Sequence, residues 1–189
     1  MSNAFVAKLQ SAQMDTSKWA LYISPKVDLL PFAIGRHDDP FLPYTRAIFA
    51  ASHDLVCAYM FDLSAYMALG AAGMVALERS IGLVTQGHVT VLDASFSTRS
   101  FAGIWDETAF GVDAVTVSEN APLDAFNTRD DRQAFVVSDS TAFKARFSPA
   151  NRTLSCLGAE MLLLPLNLLY RARSLEFEAT LRELIQSHV

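Results

Sequence analysis

Two stretches dominate the pattern of apolar and polar positions. LVCAYMFDL (Leu55–Leu63) and VTVLDASFSTRS (Val89–Ser100) are continuously apolar and rich in β-branched residues, then turn polar. That is how buried parallel strands read when their C-terminal tips reach a surface. ALYISPK (Ala20–Lys26) is a further strand, stopped by Pro25, and DAVTVSE (Asp113–Glu119) and AFVVSDST (Ala134–Thr141) are two more. Helical spacing separates them. Phe5, Val6 and Leu9 give a short apolar face near the start, and Tyr44–Ser52 follows the turn-rich GRHDDPFLP loop (Gly35–Pro43). Ala65–Val84 carries Met67, Met74 and Ile81 seven residues apart, with Leu77 and Val84 on the same face, and Gly87 ends it. A short crossover helix is expected at Phe101–Phe110 and a charged loop at Asn127–Gln133. Strands alternating with helices place the chain among α/β proteins with a parallel sheet.

Composition narrows the partners. The 189 residues are 51% hydrophobic and 19% charged, enough for one domain with a sizeable core. A formal net charge of −5 with no Lys/Arg cluster argues against nucleic acid or anionic lipid. No apolar run reaches the ~18 residues of a membrane span. Cys57 and Cys156 both lie in apolar segments and read as buried free thiols of a reducing compartment. The first residues show no signal-peptide core and include Asp15, so an intracellular location is expected; Lys8, Lys18 and the nearby serines leave cytoplasm and mitochondrion both open.

Candidate chemistry is sparse. Asp93 stands at a strand tip, followed by Ser95, Phe96, Ser97 and Thr98; hydrogen bonds from the backbone, Ser95 and Thr98 would account for it structurally. His37, Asp38 and Asp39 are adjacent on a loop and do not converge as metal ligands without others, so no metal is expected. Ser95, Ser97 and Ser138 would need an activating base. His53 and His88 each precede a strand, however, which puts them at the opposite end from the tips. GxGxxG, Walker and HExxH motifs are all missing, and no cofactor is called for.

HDLVCAYMFDLSAYMALGAAGMVALERSI resembles the second strand and following helix of orotidine 5'-phosphate decarboxylase, where the pattern runs AYKPN and then ALG.EG..ALE. VTVLDAS resembles that family's third strand, which carries Asp-x-Lys-x-x-Asp; ALYISPK resembles its VGLDPR, DAVTVSE its ADAVTVNPY, and AFVVSDST its VFVLCKTSN. MLLLPLNLLYRARSLEFEATLRELIQ, from Met161, resembles the last strand and helix. The resemblance implies a TIM-type βα barrel. It also implies where the family's alternating Lys-Asp-Lys-Asp array falls, the last Asp coming from a second subunit: on Met60, Asp93, Ser95 and Thr98. Ser24 takes the place of the ribose aspartate, Thr141 and Ala142 of the base-reading Ser-Asn pair, and Asn167 of the phosphate arginine. Of the charged set only Asp93 remains. A hydroxyl or thioether supplies neither a cation for a carbanion nor a proton from a cationic acid.

The family continues through two more strands after the fifth, and here only Phe143–Glu160 stands in their place, with TLSCLG as one short strand. The expectation is therefore a barrel that is incomplete or has fewer than eight strands, residues 142–160 replacing the missing units. An open parallel sheet exposes unpaired edges that something must cover. This leads to a non-catalytic structural or accessory subunit, docked to other chains of a larger assembly (an organellar one is conceivable) or to a second copy of itself. Two alternatives stand beside it: a nucleotide- or small-molecule-binding module with Ser24, Thr98, Arg99 and Asn167 as convergent donors, and a related lyase with altered chemistry.

Overall fold

The computed structural model describes residues 3–84, 87–95, 98–105 and 109–189. Its sheet is a closed barrel in sequence order: β1 (Trp19–Ile23), β2 (Ala58–Asp62), β3 (Val89–Asp93), β4 (Ala114–Val117), β5 (Gln133–Val137), β6 (Ala145–Ser148), β7 (Thr153–Cys156) and β8 (Ala159–Leu163). The first six strands run parallel, β7 runs antiparallel to both neighbours, and β8 closes in parallel on β1.

The expectation of fewer than eight strands is thus corrected. Residues 142–160, read as a replacement for missing units, supply β6, β7 and the start of β8, joined by tight turns in place of crossover helices. Closure is possible because β6 pairs only with the end of β5, at Val136↔Arg146 and Val137↔Phe147. The chain therefore descends only a little, through residues 138–144, before turning up again, well short of the dozen or so residues a parallel crossover usually takes. In β7 and β8, Leu154, Cys156, Ala159, Met161 and Leu163 point inward and are buried, while Glu160 is exposed. An antiparallel segment with one wet face needs no covering helix. Closure also removes the sheet edges that were expected to call for a partner.

Helices cover the rest: α1 (Ala4–Asp15), α2 (Phe41–Ser52), α3 (Leu63–Met67), α4 (Gly70–Gly82), α5 (Leu123–Phe126), α6 (Leu168–Arg171) and α7 (Phe177–Gln186). The single helix expected at Ala65–Val84 is two, because Gly70 takes φ 69° and turns the chain. Gly73 then lets α4 pass so close to α3 that any side chain there would run into the Tyr66 carbonyl oxygen. The crossover expected at Phe101–Phe110 is a 3-10 helix over Arg99–Trp105. Among the described residues no helix is long and apolar enough to cross a membrane.

Two cores result from the strand alternation. Ala20, Ala58, Met60, Val91, Phe135 and Met161 fill the barrel, and α1 plugs its base, the Phe5 ring meeting Phe135 edge-on at 5.9 Å between centroids. Outside, Leu21, Tyr59, Phe61, Leu92 and Val115 pack against the helices, where Phe177, Leu181 and Ile185 of α7 form one buried stripe. Below the barrel, Asp113 is almost fully buried. It accepts both Lys8 Nζ contacts (2.8 and 2.7 Å) and the Thr90 N–H and hydroxyl (2.9 Å each), with Arg132 at 3.5 Å.

Candidate functional site

In a βα barrel, chemistry is placed at the C-terminal ends of the strands, so the rim of β1–β4 is the site to build. Register puts Asp62 directly beside Asp93 on neighbouring strands, and Ser24 follows Ile23, which pairs with Phe61 just before Asp62. These tip residues lie side by side because residues in register on neighbouring strands point to the same face of the sheet.

Asp93 is held by hydroxyls. Tyr22 donates to Oδ2 at 2.9 Å, Thr116 to Oδ1 at 2.6 Å and Ser95 to Oδ1 at 3.2 Å; Thr116 in turn accepts the Ala94 N–H at 2.9 Å. Asp62 caps α3: Oδ1 accepts the Ala65 N–H at 3.0 Å and the Ser64 hydroxyl at 2.6 Å, and Oδ2 accepts Ser24 at 2.8 Å. Burial pushes the Asp62 pKa up, but donors from Ser64, Ser24, Ala65 and Tyr22 outweigh it and leave the carboxyl below its ordinary value. Burial, then the charges of Asp93 and Asp62, hold the Tyr22 phenol far above its usual range. The rim is thus two acidic side chains whose hydrogen-bond partners are neutral donors.

The positions singled out from the sequence fall as follows. Met60 is fully buried inside the barrel, one pleat below Asp62. Ser95 contacts Asp93 as anticipated, but Thr98 turns to Ser100 at 3.0 Å and not to Asp93. Thr141 and Ala142 are exposed on the connection descending from β5, away from the rim. Asn167 precedes α6 without capping it through its side chain, its carbonyl oxygen accepting the Arg171 N–H at 3.0 Å. The donors expected to converge on a ligand go to separate partners: Ser24 to Asp62, and Arg99 to both carboxylate oxygens of Asp124 at 3.1 and 2.9 Å. Lys26, after β1, sits over the Tyr170 ring, 5.4 Å from its centroid, while the Tyr170 hydroxyl donates to the Ser24 carbonyl at 2.6 Å.

Both histidines lie at the base, as expected: His88 Nε2 is 2.6 Å from the His53 carbonyl oxygen. Ser97 is outside the described residues. Asp39 turns to the Phe41 N–H and to Arg79, and among the described residues no three His, Cys, Asp or Glu side chains are placed to hold a metal. Cys57 and Cys156 are free and buried, and burial raises both thiols, to about 12 and about 11.

Thr116, Asp62 and Tyr22 of the rim were not singled out from the sequence. Asp62 was legible, since an Asp between an apolar run and a helical segment is a capping signal. Tyr22 stands where the VGLDPR pattern has its glycine, so a ring enters the barrel mouth at a position that the pattern leaves open.

Fold and rim together define a TIM-type βα-barrel protein whose candidate site is an acid–hydroxyl cluster at the strand tips. No family model matches the chain. Among curated proteins, it is 31% identical to the orotidine 5'-phosphate decarboxylase of Thermomicrobium roseum over 136 residues, 68% of this chain and 48% of that one. Against the orotidine 5'-phosphate decarboxylase of Herpetosiphon aurantiacus it is 31% identical over 141 residues, 70% of this chain and 53% of that one. Solved structures agree on the fold. OMP decarboxylase of Leishmania donovani superposes with a TM-score of 0.60 at 19% identity, covering 73% of this chain and 54% of that one. Orotidine 5'-monophosphate decarboxylase of Plasmodium berghei superposes with 0.57 at 14%, covering 78% and 66%. The chain is thus similar to orotidine 5'-phosphate decarboxylases in sequence and fold, and it spans about half the length of the curated relatives it matches.

Proposed function

We propose that this is a non-catalytic member of the family, its barrel kept as a structural or accessory subunit that docks to other protein chains. The observation that carries the reading is the company of Asp93: three hydroxyls, with a buried thioether at Met60 where the motif has lysine. Decarboxylation without a cofactor needs a cation to stabilise the carbanion and then protonate it, and a Tyr22 phenol whose pKa lies far above neutrality cannot stand in for an ammonium. The Tyr22 ring occupies barrel-mouth space, and the donors suited to a nucleotide are engaged elsewhere. These features favour the structural reading over the nucleotide-binding one.

With the barrel closed, docking does not rest on a sheet edge. Support comes instead from apolar side chains left in water: Phe32 and Leu175, 61% and 85% exposed, line one cleft, and such exposure commonly marks an interface. The family's two-fold pairing is one form the docking could take. An intracellular location belongs to the same proposal; the mitochondrial alternative gains no support from the bacterial relatives named above. The test is turnover of orotidine 5'-monophosphate by purified protein, together with calorimetry using uridine monophosphate. No turnover and no micromolar binding are expected; either one would overturn the reading.

A further inference from the structure

Where a regular βα unit would lay a helix after β5, the chain has only residues 138–144, and a cleft of about 480 Å³ opens between that connection and α5. Its volume is in the range of small-molecule sites. The walls have two characters. Leu123, Val136 and Phe143 give an apolar floor, and Arg129, Arg132 and Lys144 give three cations; no carboxylate lines the cleft among the described residues. In a chain of net charge −5 this is a local reversal of sign.

The cations differ in how firmly they are held. Arg132 is anchored on buried Asp113 (3.5 Å) and on Asp131 (3.3 Å), and its Nε is buried with no hydrogen-bond partner among the described residues. Arg129 forks onto Asp131 through two 2.8 Å bonds, but that pair is 46% and 39% exposed and therefore exchangeable. Lys144 is exposed, with no hydrogen bond or ion pair among the described residues. A fixed guanidinium, an exchangeable one and an unengaged ammonium around an apolar floor suit an anion that carries a ring or chain.

We propose that this flank cleft is a binding site for a small organic anion, its charged group met by Lys144 and Arg129 and its apolar body lying on Phe143, Leu123 and Val136. The site is separate from the strand-tip rim, so it stands or falls independently of whether the barrel is catalytic. The test is an amide NMR titration of the full chain with phenyl phosphate and with benzoate, inorganic phosphate and benzyl alcohol serving as the charge alone and the ring alone. Saturable shifts confined to residues 123–144 and their neighbours are expected, with at least one organic anion binding below about 1 mM and both comparison probes about tenfold weaker or more. Lys144→Glu should weaken the organic anion at least about tenfold, and Phe143→Ala should weaken it as well, while Arg173→Ala, beside the Phe32 cleft, leaves it unchanged. The site is disproved if all four probes bind alike, if the shifts map to Phe32 and Leu175, or if folded Lys144→Glu protein binds as tightly as the parent.

Discussion

The Tyr22 hydroxyl donates to Asp93 Oδ2 across 2.9 Å, tying the tip of β3 to the interior of β1. A ring at this height is what separates the barrel mouth from an open pocket, and the bond gives Asp93 a structural task. Tyr22→Phe keeps the ring and deletes the donor. It should cost about 1.5–3 kcal/mol, the usual range for a hydrogen bond to a carboxylate, seen as a lower urea midpoint with an unchanged slope. The variant should also respond differently to alkali. A phenol whose folded pKa is raised contributes stability that is complete below its ordinary value of 10.0 and is lost as pH climbs toward the folded value. Tyr66, pushed up to about 12 by burial, adds to the same slope. The parent should lose stability steadily above pH 10, and Tyr22→Phe should lose less.

Asp62 titrates with the opposite sign. Its folded pKa lies below the ordinary 3.8, so its contribution is present above that value and disappears as pH falls through the folded one. Asp62→Ala removes the α3 cap and should cost about 1 kcal/mol at pH 7. Asp62→Asn keeps an acceptor and should cost less. For both variants the gap to the parent should narrow as pH drops below 4 in acid-unfolding curves; a gap constant with pH would show that the carboxylate charge does not matter.

At the other end of the barrel, Asp113 carries the base. Asp113→Asn leaves the Lys8 ammonium without its counter-charge and the mostly buried Arg132 guanidinium with Asp131 alone, and should cost about 3 kcal/mol. Lys8→Met should cost under about 1 kcal/mol, because Lys8 is 35% exposed and water can replace it. Thermal unfolding of the two variants checks the asymmetry; comparable losses would refute it.

Restoring one lysine should not restore a decarboxylase. Met60 is packed among Ala58, Val91, Phe135 and Met161, and Met60→Lys would bury an ammonium there. The expected cost exceeds about 4 kcal/mol, with soluble yield falling sharply. Met60→Leu should cost less than about 1.5 kcal/mol. A well-folded Met60→Lys protein would mean that the interior is wetter than its side chains imply.

The first five strands were legible because each is a continuous apolar run bounded by polar residues, whereas the positions Met60, Ser95 and Thr98 were singled out only through the resemblance to the decarboxylase motif. The last third was read less well. TLSC and the segment from Met161 were each read as a strand, but their antiparallel pairing was not: continuous runs mark strands covered on both faces, whereas TLSC and AEMLL alternate, as strands with one wet face do. The rim was half visible. A capping aspartate follows local rules, but that the Tyr22 hydroxyl reaches Asp93 depends on barrel curvature, which no spacing encodes.

The hairpin joining β7 to β8 was hard to see for a second reason, and it offers the last test. Cys156 pairs with Ala159, leaving Leu157 and Gly158 as a two-residue turn with φ of 48° and 86°. Both positive angles fit the turn that matches strand twist, which favours Asn-Gly; leucine is a poor choice for the first place because its Cβ crowds the backbone there. Leu157 is 60% exposed, so little packing is lost on replacing it. Leu157→Asn should therefore stabilise the protein by about 0.5–1 kcal/mol, raising Tm by roughly 1–4 °C. A lower Tm would mean that the Leu157 side chain makes a contact worth more than the strain it carries, which would direct attention to this hairpin as a docking surface.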